Sequence, residues 1–133
     1  MAELSDKARA FLHEKRFAVS ATINPDSTPQ QSAMWYELDG NELLMNTKVG
    51  RVKERNLRRD PRISICIEDG YKYLALSGTV QLIDDQETAQ ADIKRLATRY
   101  HNPEKGEQMS RDQFSKEQRV TIRMTIERVV EDL

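Results

Sequence analysis

Alternating apolar and polar residues predict six strands in this chain. In the first of them, Phe17, Val19 and Ala21 share one face of a half-buried strand. Turn residues at Asp39-Gly40 make the first three strands a predicted meander, and Gly78 predicts a bulge or bend of the kind that barrel closure needs. The predicted strands are Phe17 to Ile23, Thr28 to Leu38, Glu42 to Asn46, Arg62 to Glu68, Tyr71 to Ile83 and Arg119 to Val129.

Helical spacing of apolar residues predicts helices before, between and after these strands. Ser5 and Asp6 can cap the first helix, and Pro61 must end the second. Short antiparallel strands with helices at their ends predict a mainly β fold, a six-stranded antiparallel barrel, in a single domain over residues 1–133. The predicted helices are Ser5 to about Lys15, Gly50 to just before Pro61, about Asp84 to Tyr100 and, as a short helix or turn, Met109 to Lys116.

Composition argues against several classes of function. The net charge is −1, so the molecule as a whole has no field that attracts nucleic acid or a membrane surface. No apolar run approaches membrane-spanning length and no signal-peptide pattern opens the chain, so we expect a cytoplasmic protein. The single cysteine, Cys66, excludes a disulfide within one chain, and its isoleucine neighbours predict an inert, buried thiol.

Basic residues concentrate in one short stretch. Seven of the 21 lysines and arginines lie between Asn46 and Arg62. Arg51 and Lys53 fall in the predicted first turn of the helix that Gly50 opens. Free N–H groups and the positive end of the helix dipole disfavour cations there, so a negative group from outside the chain is expected to compensate them. Phosphate is the natural candidate.

An ordinary solvated helix is the alternative interpretation of this stretch, because Glu54 and Arg58 stand at the spacing of a helical ion pair. At 100° per residue, Arg51, Arg55 and Arg58 form one row, and Lys53, Asn56 and Leu57 lie on the other side. Asparagine is a poor helix former, so Asn56 beside an apolar anchor favours a binding role over a solvated surface. An amide and an ammonium one turn apart suit an oxyanion.

Other chemistry-bearing residues indicate no active site of their own. His13 and His101 lack partners at metal-ligand spacing, so no metal site is predicted. Neither a nucleophile with its base nor a glycine-rich phosphate loop is present. Trp35 and Tyr36 are predicted to face opposite ways, one into the core and one onto a surface. An enzyme without a visible acid, base or nucleophile would take its chemistry from a cofactor.

The string G-R-V-K-E-R-N-L-R-R-D-P-R-I-S-I, with T-P-Q-Q-S-A-M-W-Y-E-L-D some twenty residues earlier, resembles the flavin/deazaflavin oxidoreductase group with the split β-barrel fold. More narrowly, it is similar to the branch related to pyridoxine phosphate oxidase that binds the deazaflavin coenzyme F420. The resemblance covers nearly the whole chain. It implies a homodimer with cofactors at the subunit interface, and hydride transfer from reduced F420 to a conjugated, electron-poor small molecule.

The resemblance also implies which residues contact the cofactor. Arg51, Lys53 and Asn56 match the residues that hold the phosphate and the acidic glutamyl tail. The residues implied to line or border the ring are Gln31, Ser32, Met34, Asn46 and Thr47, with Tyr73 supplied by the partner chain.

FMN is the alternative cofactor. The oxidases that use FMN resemble this chain around Arg51 to Lys53, but they carry arginine and lysine on the second strand where this chain reads Gln30-Gln31-Ser32. Their C-terminal substrate-phosphate motif is also absent, so pyridoxine phosphate oxidation is not expected. An FMN-binding oxidoreductase and a non-catalytic carrier of F420 or haem remain open alternatives.

Overall fold

The computed structural model describes residues 2–133, and its secondary structure is mainly β with flanking helices, as predicted. The strands are β1 (Ala18–Ile23), β2 (Pro29–Met34), β3 (Glu37–Asp39), β4 (Glu42–Lys48), β5 (Arg62–Asp69), β6 (Lys72–Ile83) and β7 (Arg119–Asp132). The helices are α1 (Asp6–His13), α2 (Val52–Arg59), α3 (Gln86–Tyr100) and α4 (Pro103–Asp112), followed by a 3₁₀ turn at Phe114–Lys116.

The strands described in residues 2–133 form one antiparallel sheet in the order β2-β1-β5-β6-β7-β4-β3. The sheet is not closed, since β2 and β3 are its two edges. The prediction of six strands is therefore wrong: the segment Thr28 to Leu38, predicted as one strand, divides into β2 and β3. Pro29 begins an edge strand, as its missing N–H predicts.

Tyr36 explains why the predicted second strand divides. Its backbone N–H donates to Tyr100 Oη at 3.1 Å, and its carbonyl accepts from Arg99 Nε at 3.0 Å. These bonds to side chains replace the ladder bonds that a continuous strand needs. The predicted meander is confirmed in part: β1 pairs with β2, and β3 pairs with β4 across the Asp39-Gly40 turn. Its continuity is wrong, because β2 and β3 lie at opposite edges of the sheet and β4 also pairs with β7.

The main core covers one face of the sheet, here called the inner face. On β5 the buried residues are Ile63, Ile65 and Ile67, while Cys66 points to the opposite, outer face and is exposed. The prediction of a buried thiol is therefore wrong, because a strand sends neighbouring side chains to opposite faces. Tyr36 is fully buried in this core.

A second, smaller cluster lies beneath α3. It contains Ile93, Leu96, Ala97 and Phe114, and Trp35 packs against it. Tyr36 and Trp35 thus belong to different clusters, which confirms that the pair faces opposite ways. Within residues 2–133, no helix is both long enough and apolar enough to cross a membrane.

The predicted bulge in the long hairpin of β6 and β7 is confirmed. The register of the pair shifts between Ser77 and Gly78. A Cβ atom added to Gly78 would lie 1.9 Å from the carbonyl oxygen of Thr125, so only glycine fits this close approach. A bulge increases the local twist, which curves this part of the sheet.

Candidate functional site

A cleft of about 270 Å³ opens where the ends of β2 and β4 meet α2, α3 and the segment after α4. Five of the predicted site residues line it: Met34, Asn46, Thr47, Arg51 and Lys53. They come from β2, from β4 and from the start of α2, so the fold brings together groups that are up to 19 residues apart in the chain. We call this space the cleft.

The basic helix has the two faces that its sequence predicts. Lys53, Asn56 and Leu57 are buried, and Arg55 and Arg58 are exposed. One detail differs from the prediction. The helix α2 begins at Val52, so Arg51 is its N-cap and not part of its first turn, and the Arg51 side chain makes no capping hydrogen bond. The free first-turn N–H groups of α2 add positive character to this end of the cleft.

Lys53 is the unusual charge of the cleft. Its side chain belongs to a residue that is only 9% exposed, yet it forms no hydrogen bond or ion pair with any part of residues 2–133. Burial, followed by repulsion from Arg51 and Arg119, lowers the pKa of Lys53 from 10.5 to about 8. No carboxylate of the described chain lines the cleft. Residues 2–133 thus provide no counter-charge for Lys53, an arrangement that an anion entering the cleft would fit.

Arg119, which the sequence did not predict as a site residue, is a further cation lining the cleft. It begins β7 and is 7% exposed. Its Nε donates to Asn46 Oδ1 at 3.0 Å and its Nη1 to Glu117 Oε1 at 2.9 Å. Burial lowers the pKa of Arg119, and the charge of Glu117 acts in the opposite direction. No local motif identifies it, since only the pairing of β4 with β7 brings it here.

An apolar wall faces these cations. It is formed by Met34, Trp35, Met109 and Phe114, with the α3 side chains behind them. The Trp35 ring stacks on Tyr100 with centroids 5.3 Å apart and an interplanar angle of 16°. A cleft with one cationic end and one aromatic wall suits a planar ring that carries an anionic extension.

Asn56 lies outside the cleft lining, although it is buried as predicted. Its Nδ2 donates to Thr22 Oγ1 at 3.1 Å and to Asn24 Oδ1 at 3.0 Å. The amide thus anchors α2 to the end of β1. A contact between Asn56 and a cofactor stays a prediction.

Gln31, Ser32 and Tyr73 also lie outside the cleft lining of this chain. Gln31 and Ser32 are neighbours on β2, so they point to opposite faces. Ser32 faces inward, with its Oγ 3.4 Å from Ser20 Oγ. Gln31 and Tyr73 are exposed on the outer face. Their contacts with a cofactor stay predictions.

The outer face of the sheet carries an apolar row that runs across five strands. Its members are paired neighbours in the strand register and comprise Ala33, Val19, Cys66, Ala75 and Val130. Val19 is 40% exposed and Val130 is 56% exposed. Ala33 lines the cleft as well, as does the exposed Phe17, so the outer face and the cleft share an edge.

Titratable groups elsewhere form no second centre of this kind. Neither His13 nor His101 lines the cleft. In the described part of the chain, no group of three or more histidine, cysteine or acidic side chains is placed to hold a metal ion.

Comparison with known proteins identifies relatives of the whole chain. The family model described as pyridoxamine 5'-phosphate oxidase matches residues 4–131. An F420H(2)-dependent biliverdin reductase from Mycobacterium tuberculosis is 29% identical over 129 residues, which cover 96% of this chain and 87% of the relative.

Solved structures agree with that assignment. The conserved hypothetical protein Rv2991 from Mycobacterium tuberculosis has a TM-score of 0.82 at 29% identity, covering 98% of this chain and 85% of its own. A structure titled F420 reductase has a TM-score of 0.77 at 25% identity, covering 96% of this chain and 98% of its own. The resemblance found in the basic segment is thereby confirmed at the level of the family.

Proposed function

We propose, from the premise that this chain belongs to the pyridoxamine 5'-phosphate oxidase family, that it is an oxidoreductase dependent on the deazaflavin coenzyme F420. In this proposal it transfers a hydride from reduced F420 to a conjugated, electron-poor small molecule. The observation that carries the proposal is the buried Lys53, which has no partner within residues 2–133 and lies in a cleft that no carboxylate of those residues lines. Similarity to an F420H(2)-dependent reductase and to an F420 reductase supports the choice of cofactor.

The residues of the cleft fit this cofactor in their chemistry. Lys53 and Arg51 would bind the phosphate and the acidic tail, since both are cations that have no acid partner in the described chain. Met34 and Trp35, which belong to the apolar wall, would contact the ring of the cofactor, and Asn46 and Thr47 would lie at the edge of the ring. When bound, reduced F420 supplies a hydride from C5 of its ring.

The protein's own part in the reaction is to position the cofactor ring and the substrate and to shield them from water. The stacked pair of Trp35 and Tyr100 fixes one wall, because Tyr100 Oη is tied to the backbone of Arg16 at 2.5 Å. A fixed wall restricts the orientations that a bound ring and its substrate can take, and correct orientation accelerates a transfer between two bound molecules. The apolar lining excludes water from one side.

We further propose that the protein is a homodimer built on the outer face. Exposed apolar residues in a continuous row are typical of a surface that a partner covers. Because Ala33 belongs to both surfaces and the exposed Phe17 lines the cleft beside the start of β1, a second copy on the outer face would add a wall to the cleft. Gln31 and Tyr73 lie on that face and would become interfacial.

Titration with F420 and with FMN tests the cofactor. We expect quenching of F420 fluorescence with micromolar or tighter affinity, and a loss of at least about a hundredfold in Lys53→Met, which removes the charge and keeps the length of the side chain. Lys7→Met on the exposed surface of α1 is the control and should bind as the wild type does.

The same titration separates the alternatives. If the protein binds FMN and not F420, the proposal of an oxidoreductase remains and its cofactor is FMN. Tight F420 binding without turnover of nitro compounds, enones or tetrapyrroles would make the protein a carrier. No binding of either cofactor by the wild type would refute the proposed function.

Sedimentation velocity tests the dimer with Val19→Lys. The substitution places a charge within the apolar row, where burial against a second copy would cost several kcal/mol. We expect a dimeric wild type and a monomeric variant. Lys72→Glu, a charge change on the exposed end of β6, is the control. A monomeric wild type at micromolar concentration would contradict the dimer.

A further inference from the structure

Arg119 differs from the other two cations of the cleft in how it is held. Arg51 is exposed and Lys53 has no partner within residues 2–133, so neither head group is fixed by the protein. The guanidinium of Arg119 is fixed by Asn46 on one nitrogen and by Glu117 on another. Its Cζ also lies 5.1 Å from the centroid of the Phe114 ring.

We propose that Arg119 binds an anionic group of the ligand directly, and that Asn46 and Glu117 hold its guanidinium in position for this contact. The inference deepens the proposed function and rests on it for the identity of the ligand. It predicts the charge of the ligand, which should carry at least two negative charges where it meets the cationic end of the cleft. A phosphate joined to a carboxylate, or a dianionic phosphate, would satisfy this requirement.

The charges around the cleft support this class of ligand. Arg51 and Arg119 both lower the pKa of Lys53, and Arg51 also lowers the pKa of Arg119, so the three cations lie close together. Glu117 is the one acid among the described residues that pairs with any of the three. Glu117 is shared, because Lys48 Nζ lies 3.8 Å from its second oxygen. With Glu117 counted against Arg119, the buried Lys53 and the exposed Arg51 leave two positive charges at the cleft, and a ligand with two negative charges would compensate both.

The hydrogen bonds around Arg119 leave donors free for a ligand. A guanidinium has five N–H groups in a rigid fork, and the protein uses Nε and Nη1. Nη2 has no acceptor in the described chain. Asn46 is held in turn, since its Nδ2 donates to Ala89 O at 2.9 Å. This chain of bonds orients the fork before the ligand arrives, which reduces the entropy cost of binding.

The test measures F420 affinity by fluorescence and pyrophosphate affinity by thermal shift at low salt. Arg119→Gln should weaken both by about tenfold or more, because it removes a charge-assisted hydrogen bond. Arg119→Lys should bind each ligand with an affinity between those of the wild type and Arg119→Gln, because it keeps the charge and loses the planar fork of the guanidinium. Arg111→Gln, which removes an exposed charge from α4, should bind within about twofold of the wild type.

Glu117→Gln distinguishes direct binding from a structural role. If Arg119 contacts the ligand, Glu117→Gln should tighten pyrophosphate binding, because the amide oxygen still accepts from Nη1 and keeps the fork in position while the competing negative charge is removed. If Arg119 only braces the cleft, loss of its ion pair should weaken binding, as Arg119→Gln does. Should Arg119→Gln fail to fold, Glu117→Gln and Arg119→Lys decide by themselves. Weaker binding in Glu117→Gln, or wild-type affinity in Arg119→Gln, overturns the proposal.

The two probes keep this inference separate from the proposed function. A wild type that binds pyrophosphate but neither F420 nor FMN would refute the cofactor assignment, and the variants would still test Arg119. If the wild type and Arg119→Gln bind F420 equally tightly, the proposed function stands and the proposed role of Arg119 is refuted. No pyrophosphate shift in the wild type would also reject it.

Discussion

Lys53 and Glu54 are neighbours in the first turn of α2, both are buried, and the protein treats them in opposite ways. Glu54 accepts from the backbone of Gly50 at 2.8 Å and pairs with Arg58, which also pairs with Asp84. Lys53 has no such partner within residues 2–133. Glu54 is thus paired inside the described chain, whereas Lys53 lines the cleft without a counter-charge from residues 2–133, as the proposed role in binding an anion requires.

The pKa values express the same contrast. Burial alone would raise the pKa of Glu54, but the bonds from Gly50 and Arg58 lower it, so the carboxylate is stabilised in the folded state. Burial lowers the pKa of Lys53 to about 8, and no partner opposes the shift. The folded protein therefore stabilises the charged form of Glu54 and destabilises the charged form of Lys53.

Lys53→Met should produce the largest change in stability, and it should be a gain. The charged form of Lys53 is disfavoured on folding by the shift from 10.5 to about 8, which corresponds to up to about 3 kcal/mol at neutral pH. We expect the free energy of unfolding of the apoprotein to rise in urea denaturation while affinity for F420 is lost. A variant that is less stable than the wild type would contradict the account of Lys53.

The effect of pH on stability should differ between the wild type and Lys53→Met. Between pH 8 and pH 10.5 the unfolded chain holds the Lys53 proton and the folded chain releases it. The free energy of unfolding of the wild type should therefore rise through this window relative to the variant, by up to about 3 kcal/mol. Anion affinity should fall above about pH 8, as the ammonium is neutralised. Parallel pH profiles for the two proteins would exclude Lys53 as the titrating group.

Glu54→Ala should have the opposite sign and a somewhat smaller size. It leaves the Gly50 N–H without its acceptor and removes one of the two carboxylates that bind Arg58. We expect a loss of about 2 kcal/mol in urea denaturation, with a smaller change in F420 affinity than in Lys53→Met. Glu87→Ala, at an exposed first-turn position of α3, is the control. Equal effects of Lys53→Met and Glu54→Ala on affinity would remove the distinction.

Asn56→Ala should have the smallest effect and addresses an open prediction. Loss of the bonds to Thr22 and Asn24 should cost about 1–2 kcal/mol of stability. If Asn56 only anchors α2, F420 affinity measured well below the unfolding transition should change by less than about threefold. A loss of tenfold or more would place Asn56 among the cofactor contacts, as the family resemblance implies.

Local sequence was enough to predict much of the frame and part of the site. Period-2 alternation identified the strands, and Gly78 identified the bulge, because steric and hydrogen-bonding constraints act over a few residues. The same reasoning assigned Lys53 to the buried side of α2. It does not decide the roles of Gln31 and Ser32, which the family resemblance groups together and which the pleat of β2 sends to opposite faces. Their contacts with a cofactor stay predictions.

Contacts between distant parts of the chain placed the remaining features. Arg119 enters the cleft because β7 pairs with β4, and Tyr36 breaks the second strand because Tyr100, 64 residues later, binds its backbone. Cys66 is exposed because the core covers only one face of the sheet. Such outcomes depend on which whole faces are buried together, a property of the assembled sheet that no short window of residues contains. The lack of a partner for Lys53 within residues 2–133 is of this kind, since it depends on where the assembled fold places all the other described side chains.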